Sequence, residues 1–189
     1  MSGIKGTIVI GTARSGSHMT CDLLYNNSQL ANKHMLGEVT ELPNIDDKFV
    51  YCSIVQNWAK AKLAVDTSWV NEYHVINLRR RDKVAQYLSW CIFRAQTQAS
   101  VSKHSPDWND YKDLLPWEST ADDIEMFLME QYLDFAIKPH EVIYYEDIIQ
   151  RSVLNTRFKK NQYPVAPEHI VTDYTLVKTM LEKFSYDRR

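Results

Sequence analysis

The sequence predicts an α/β fold with a mostly parallel central sheet and flanking helices, and three observations carry that expectation. Short β-branched runs at Ile4–Ile10 and Tyr73–Leu78 read as buried strands. Each runs into small or polar residues and then into apolar residues at helical spacing. The order of elements alternates strand and helix, as expected for parallel strands joined by right-handed crossovers. A length of 189 residues suits a single domain over 1–189, with a lid or insertion at 99–120.

In chain order, the first strand ends at Gly11. The polar stretch Thr12–Ser17 leads into a helix from Ser17 to about Tyr25, with Met19, Leu23 and Leu24 facing inward. Asn26, Asn27 and Ser28 end it by competing for backbone hydrogen bonds. Residues 29–48 carry Gly37, Pro43 and several acids, and are expected to be loop-rich, with at most a short helix. Phe49–Val55 reads as a strand, and Trp58–Val65 has helical spacing. After the strand Tyr73–Leu78, the residues Val84, Leu88, Cys91, Ile92 and Ala95 define one face of a long helix. Asp82 suits its first turn. Residues 101–119, rich in Trp and Pro, form the insertion. Asp122–Phe135 is amphipathic around Ile124, Phe127 and Leu128. Glu141–Tyr145 is a third short strand, and Asp147 starts a short helix to about Leu154. The basic run Arg157–Lys160 and the prolines Pro164 and Pro167 follow, then a last helix over Thr172–Phe184.

Composition narrows the function. A net charge of -2 provides no bulk basic field for nucleic acid. No run approaches the length needed to span a membrane, and the apolar run near Met1 is too short for a signal peptide. Cys21, Cys52 and Cys91 are widely spaced in apolar surroundings, a pattern of inert buried thiols rather than of disulfides or zinc. His104, His140 and His169 lack metal-ligand spacing. A cytoplasmic protein without a metal is expected.

Two stretches carry chemistry. The first, IVIGTARSGSHMT, takes a buried strand through small residues into a helix start. Such a turn aims backbone N–H groups and the helix dipole at one spot, which suits a phosphate. Gly16 permits close approach, Arg14 offers a guanidinium fork, and Ser15 and Ser17 add hydroxyls. Gly11 and Gly16 have the Walker spacing, but Ser17 stands where that pattern requires lysine. This disfavours a Mg-dependent kinase. The second stretch, VINLRRRDKVAQYLSW, carries three arginines off the end of a strand, and that end faces the ligand crevice in open α/β sheets. Arg81 precedes Ser89 by about two helical turns, so the pair can flank one phosphate only if the chain at Arg81 is not helical. Asp82 is placed to orient Arg81. A solvated basic cap is the plainer alternative.

Together the two stretches resemble the sulfotransferases that use 3′-phosphoadenosine 5′-phosphosulfate (PAPS), and within them the bacterial branch acting on trehalose-type sugars. The resemblance lies in RSGSH at Arg14–His18, in the arginine-to-serine spacing of Arg81 and Ser89, and in Tyr145-Glu146-Asp147-Ile148 after a strand. It covers roughly residues 4–25, 73–95 and 141–149. It implies a P-loop-like three-layer fold and PAPS as donor, with 3′-phosphoadenosine 5′-phosphate (PAP) as product. Arg14 would contact the 5′-phosphosulfate, Ser15, Gly16 and Ser17 would hold the 5′-side phosphate, and Arg81 and Ser89 the 3′-phosphate. His18 stands where the family often has a hydroxyl, either as a substitute phosphate donor or as an acceptor-side residue. The branch's base is a glutamate in a G-x-P-x-E stretch. Gly37-Glu38-Val39-Thr40-Glu41 is similar to it but lacks the proline. Glu41 matches the position, with Glu38 and His18 as rivals. The implied reaction moves a sulfuryl group to a hydroxyl of a carbohydrate or small metabolite. The chain is short for the family, so acceptor-side elements are either reduced or supplied by a second copy in a homodimer. A nucleotide or metabolite kinase and a non-catalytic nucleotide binder are the rival readings.

Overall fold

The computed structural model describes residues 3–39, 41–42, 48–55, 68–100, 108–132, 139–151 and 165–183. Five parallel strands form one sheet: β1 (Gly6–Gly11), β2 (Lys33–Glu38), β3 (Phe49–Val55), β4 (Tyr73–Arg79) and β5 (Glu141–Tyr144), in the order β2-β3-β1-β4-β5. The α/β class with a parallel central sheet and flanking helices is therefore present. The chain divides into two compact units, one of Met1–Arg80 with Leu133–Lys159, the other of Arg81–Tyr132 with Lys160–Arg189.

The first unit holds the sheet. β1 is central and buried along its whole length, which is why its sequence is a continuous apolar run rather than an alternation. Successive side chains leave opposite faces. Val9, Tyr51 and Leu78 pack with Cys21 of α1 (Ser17–Asn27) and with Ile148 of α4 (Tyr145–Arg151). Ile8, Ile10, Val50, Cys52, Ile54 and Val75 form a second cluster with Trp69, from the 3₁₀ turn Ser68–Glu72.

One expectation for this unit is corrected. Residues 29–48 are not simply loop-rich, because Lys33–Glu38 is the edge strand β2, paired in parallel with β3. Its six residues are all half-buried and none is β-branched, so the pattern that marks a central strand is missing. The register shifts between Met35 and Gly37, and Gly37 has φ 75°. This is a bulge that only glycine enters without strain. A smaller correction is that α4 begins at Tyr145, two residues before Asp147.

The second unit is helical. In α2 (Lys83–Gln98), Asp82 is the cap rather than part of the first turn. Its carboxylate accepts from the Ala85 N–H at 2.8 Å, a standard helix start. With α3 (Ala121–Tyr132) and α5 (Tyr174–Glu182), α2 surrounds a core that includes Tyr87, Cys91, Ile92, Ile124, Phe127 and Leu181. Tyr87 stacks on Trp90 at 5.4 Å and meets Phe127 edge-on at 5.0 Å. Tyr111 belongs to this core and Trp117 packs against it, so these two aromatics serve packing. The Trp117 N–H donates to the Ile170 carbonyl at 2.8 Å, tying the 108–119 segment to the C-terminal part of the unit. The expected helix at Trp58–Val65, the 101–107 part of the lid and the basic run Arg157–Lys160 lie outside the described residues.

Candidate functional site

The strand order selects one place in the sheet. β1 and β4 are neighbours, yet the chain leaves β1 for β2 at one edge and leaves β4 for β5 at the other. Adjacent strands whose connections diverge form a topological switch point, and ligands bind beyond the carboxyl ends of such strands. β1 ends there at Gly11, whose register partner on β4 is Leu78. The sequence IVIGTARSGSH thus lies at the position where an α/β sheet is built to hold a ligand.

The turn after β1 is tightly made. A Cβ on Gly11 would lie 2.3 Å from the Ser15 hydroxyl and 3.2 Å from the Leu78 carbonyl oxygen. The Ser15 N–H donates to the Thr12 carbonyl at 3.2 Å. Arg14 has φ 62°, a left-handed conformation costing a non-glycine residue about 1–2 kcal/mol. Gly16, with φ 96°, is the residue before α1 and has no side chain with which to cap it. Strain of this kind persists where the surroundings enforce it, and it concentrates at ligand sites. Ser15 is fully buried and its hydroxyl has no hydrogen-bond partner among the described residues. Burying an unsatisfied hydroxyl costs about 1–3 kcal/mol, a cost that an anion oxygen would offset. Ser17 is buried in the first turn of α1.

Two further side chains meet at this turn. The Arg80 guanidinium donates through Nη1 to the Arg14 carbonyl oxygen at 3.3 Å and rests 4.8 Å from the centre of the Tyr145 ring. A Cβ on Gly16 would come 2.5 Å from a carbon of that ring, so the ring covers the glycine. The residue-by-residue sequence reading assigned neither side chain a role. The signals were present in the Arg79–Arg81 cluster and in the Tyr145-Glu146-Asp147 element, but the two are distant in sequence.

The acidic candidates separate. Glu38, at the end of β2, stands 3.6 Å from His18 Nε2, and both side chains are partly buried. The bulge at Gly37 immediately precedes Glu38, and bulges re-aim the side chains that follow them. Glu41 is exposed.

In the second unit Arg81 is exposed and non-helical, just before the Asp82 cap. It lines a cavity of about 470 Å³ together with Asp82, Lys83, Tyr174 and Lys178. Ser89 is buried on α2 and is not among the residues lining that cavity. Lys83 is itself buried, with its ammonium donating to Gln86 Oε1 at 3.1 Å and Gln131 Oε1 at 3.0 Å.

The three cysteines are buried and unbridged. Burial pushes the Cys52 and Cys91 thiols up to about 12, which keeps them protonated and unreactive near neutrality. Among the described residues no group of three His, Cys, Asp or Glu side chains is placed to hold a metal ion, and no helix is long and apolar enough to cross a membrane. The chain matches no protein-family model, no curated protein and no solved structure.

Proposed function

We propose that this protein is a PAPS-dependent sulfotransferase that binds the 5′-phosphosulfate end of its donor at the β1–α1 turn. The observation that carries the proposal is the turn itself, with its strained arginine, glycine helix start and buried serine hydroxyl at the switch point of a parallel sheet. The donor set fits a phosphosulfate: one guanidinium, a buried hydroxyl, a backbone able to approach closely and the positive end of an 11-residue helix. The absence of lysine after Gly16 favours this reading over a kinase.

In the transfer, an acceptor hydroxyl oxygen forms a bond to sulfur as the bond from sulfur to the bridging phosphate oxygen breaks. PAP departs with the electron pair, and the hydroxyl proton passes to a carboxylate. Arg14 would stabilise the charge developing on the bridging oxygen. Glu38 is the base this reading favours, because it lies beside His18 in the first turn of α1 while Glu41 faces solvent. His18, paired with Glu38, would hold that carboxylate in place. Arg81 and Ser89 keep the 3′-phosphate role that the resemblance gives them. The acceptor is a carbohydrate or small metabolite, and a cytoplasmic location suits the unbridged thiols.

Calorimetry with PAP, ATP and AMP tests the reading. PAP should bind more tightly than the other two without added Mg²⁺. Arg14→Ala should weaken it roughly tenfold to a hundredfold, the range for a lost charged hydrogen bond. Arg81→Ala should weaken PAP but not AMP. A preference for Mg-ATP would overturn the assignment in favour of a kinase. Labelled sulfate transfer from PAPS to a panel of sugars and alcohols should vanish in Glu38→Gln and survive in Glu41→Gln. The reverse pattern would make Glu41 the base, and PAP binding without any transfer would leave a nucleotide-binding module.

A further inference from the structure

We infer that Arg80 is a positioning residue that locks the left-handed Arg14 peptide in place, with the Tyr145 ring as the surface that holds its guanidinium. The inference rests on reading the β1–α1 turn as the anion site, and it adds the device that keeps that turn in shape.

The sheet brings the three residues together. β4 and β5 run parallel with Arg79 opposite Tyr144, so the residues that follow these strands, Arg80 and Tyr145, leave the sheet side by side. β1 lies on the other side of β4 with Gly11 opposite Leu78. Arg80 therefore emerges two residues beyond the partner of Gly11, level with the turn. From there its Nη1 reaches the Arg14 carbonyl at 3.3 Å, while its Cζ lies 4.8 Å from the Tyr145 ring centre.

This arrangement supplies what a left-handed arginine needs. Arg14 at φ 62° does not hold that conformation by preference, and a charged donor on its carbonyl is an outside constraint that does. The ring stabilises the guanidinium through its π face. It also lies over Gly16, where a Cβ would be 2.5 Å away, so one side chain limits both the anchor of Arg14 and the residue that precedes α1. The Nε of Arg80 is buried without a hydrogen-bond partner among the described residues, so the guanidinium is enclosed at the turn. Lysine cannot replace Arg80, because a point ammonium does not stack and donate in a fixed fork at once.

The experiment compares Arg80→Lys, Arg80→Met, Tyr145→Phe and Tyr145→Leu in the full chain. Two readouts are taken: the Arg14 backbone coupling and carbon shifts by NMR, and the PAP dissociation constant by calorimetry. Arg80→Lys, Arg80→Met and Tyr145→Leu should move the Arg14 signals away from left-handed values and weaken PAP about tenfold or more. Tyr145→Phe, which keeps the ring, should leave both unchanged. Wild-type Arg14 signals and wild-type affinity in Arg80→Lys would overturn the inference. Should Arg80→Met fail to fold, the Tyr145→Phe and Tyr145→Leu pair decides the matter alone. If the wild-type protein binds no PAP, the proposed function fails, while the Arg14 signals still report whether Arg80 holds the turn.

Discussion

The sheet unit and the helical unit differ in where they place left-handed residues and buried polar groups. In the helical unit two buried polar groups are answered locally. The Tyr87 hydroxyl pairs with Ser119 at 2.8 Å, and Lys83 is held by two glutamine side chains. Its left-handed residues, Ser100 and Asp173, sit where helices end or begin, the usual places for such conformations. In the sheet unit, Ser15 Oγ, Thr20 Oγ1 and Arg80 Nε, with Ser53 Oγ and Trp69 Nε1 elsewhere in the unit, are buried without partners among the described residues, and Arg14 is strained in the turn. In the helical unit the left-handed residues sit at helix ends, while the sheet unit gathers a left-handed arginine, a buried serine hydroxyl and a buried Arg80 Nε at one turn. Several departures gathered at one turn are a physical mark of a site.

The largest expected effect tests the packing half of that contrast. Phe127 is buried, edge-on to Tyr87 and tilted against Trp90 at 6.5 Å. Phe127→Ala should cost about 3–5 kcal/mol by the lost transfer energy and the cavity left behind. Urea unfolding followed by circular dichroism measures it. A cost below about 1 kcal/mol would mean that the aromatic core repacks freely and that the helical unit is not the stable, closely fitted partner in the comparison.

Next in size is an alkaline effect that samples both units, since Cys52 lies in the sheet unit and Cys91 in the helical one. Burial raises both thiols from 9.0 to about 12. A group whose native value is raised contributes stability that is complete below the unfolded value and is lost as pH climbs toward the native one. Stability should therefore hold to about pH 9 and decline between 9 and 12, by roughly 1 kcal/mol per thiol within the first pH unit. Cys52→Ala and Cys91→Ala should each remove part of that slope, read from urea midpoints at pH 8 and 10. Equal slopes in wild type and both variants would show that other groups dominate.

Much of this architecture was legible because burial on both faces writes itself into composition. β1, β3 and β4 announce themselves through runs such as Ile8-Val9-Ile10, and α2 through Val84, Leu88, Cys91, Ile92 and Ala95. β2 was illegible because an edge strand meets weaker demands. Lys33-His34-Met35-Leu36-Gly37-Glu38 contains a glycine and no β-branched residue, and it is a strand because β3 pairs with it. The site was half legible. The turn is local and reads directly from Gly11 to Ser17, but Arg80 and Tyr145 stand 65 residues apart and meet only through the pairing of β4 with β5. The pairing of His18 with Glu38 likewise depends on the unforeseen strand and its bulge.

The smallest expected effect is the most discriminating, because its sign is unusual. If Arg14 is strained for the sake of a ligand, removing the strain should stabilise the protein while damaging binding. Arg14→Gly replaces a side chain that disfavours φ 62° with one indifferent to it. The relief of up to about 1–2 kcal/mol is opposed by the extra freedom glycine gives the unfolded chain, about 0.4–1 kcal/mol. The net change should be a gain of up to about 1.6 kcal/mol, visible as a slightly raised urea midpoint, together with a large loss of PAP affinity. Arg14→Ala keeps most of the strain and should lose affinity without the gain. A destabilised Arg14→Gly would show that the arginine side chain holds the free protein together, and the turn would then be a structural feature like those of the helical unit. A stabilised variant that no longer binds would separate the two units by purpose as well as by packing, since the energy released comes from the same residue on which the anion depends.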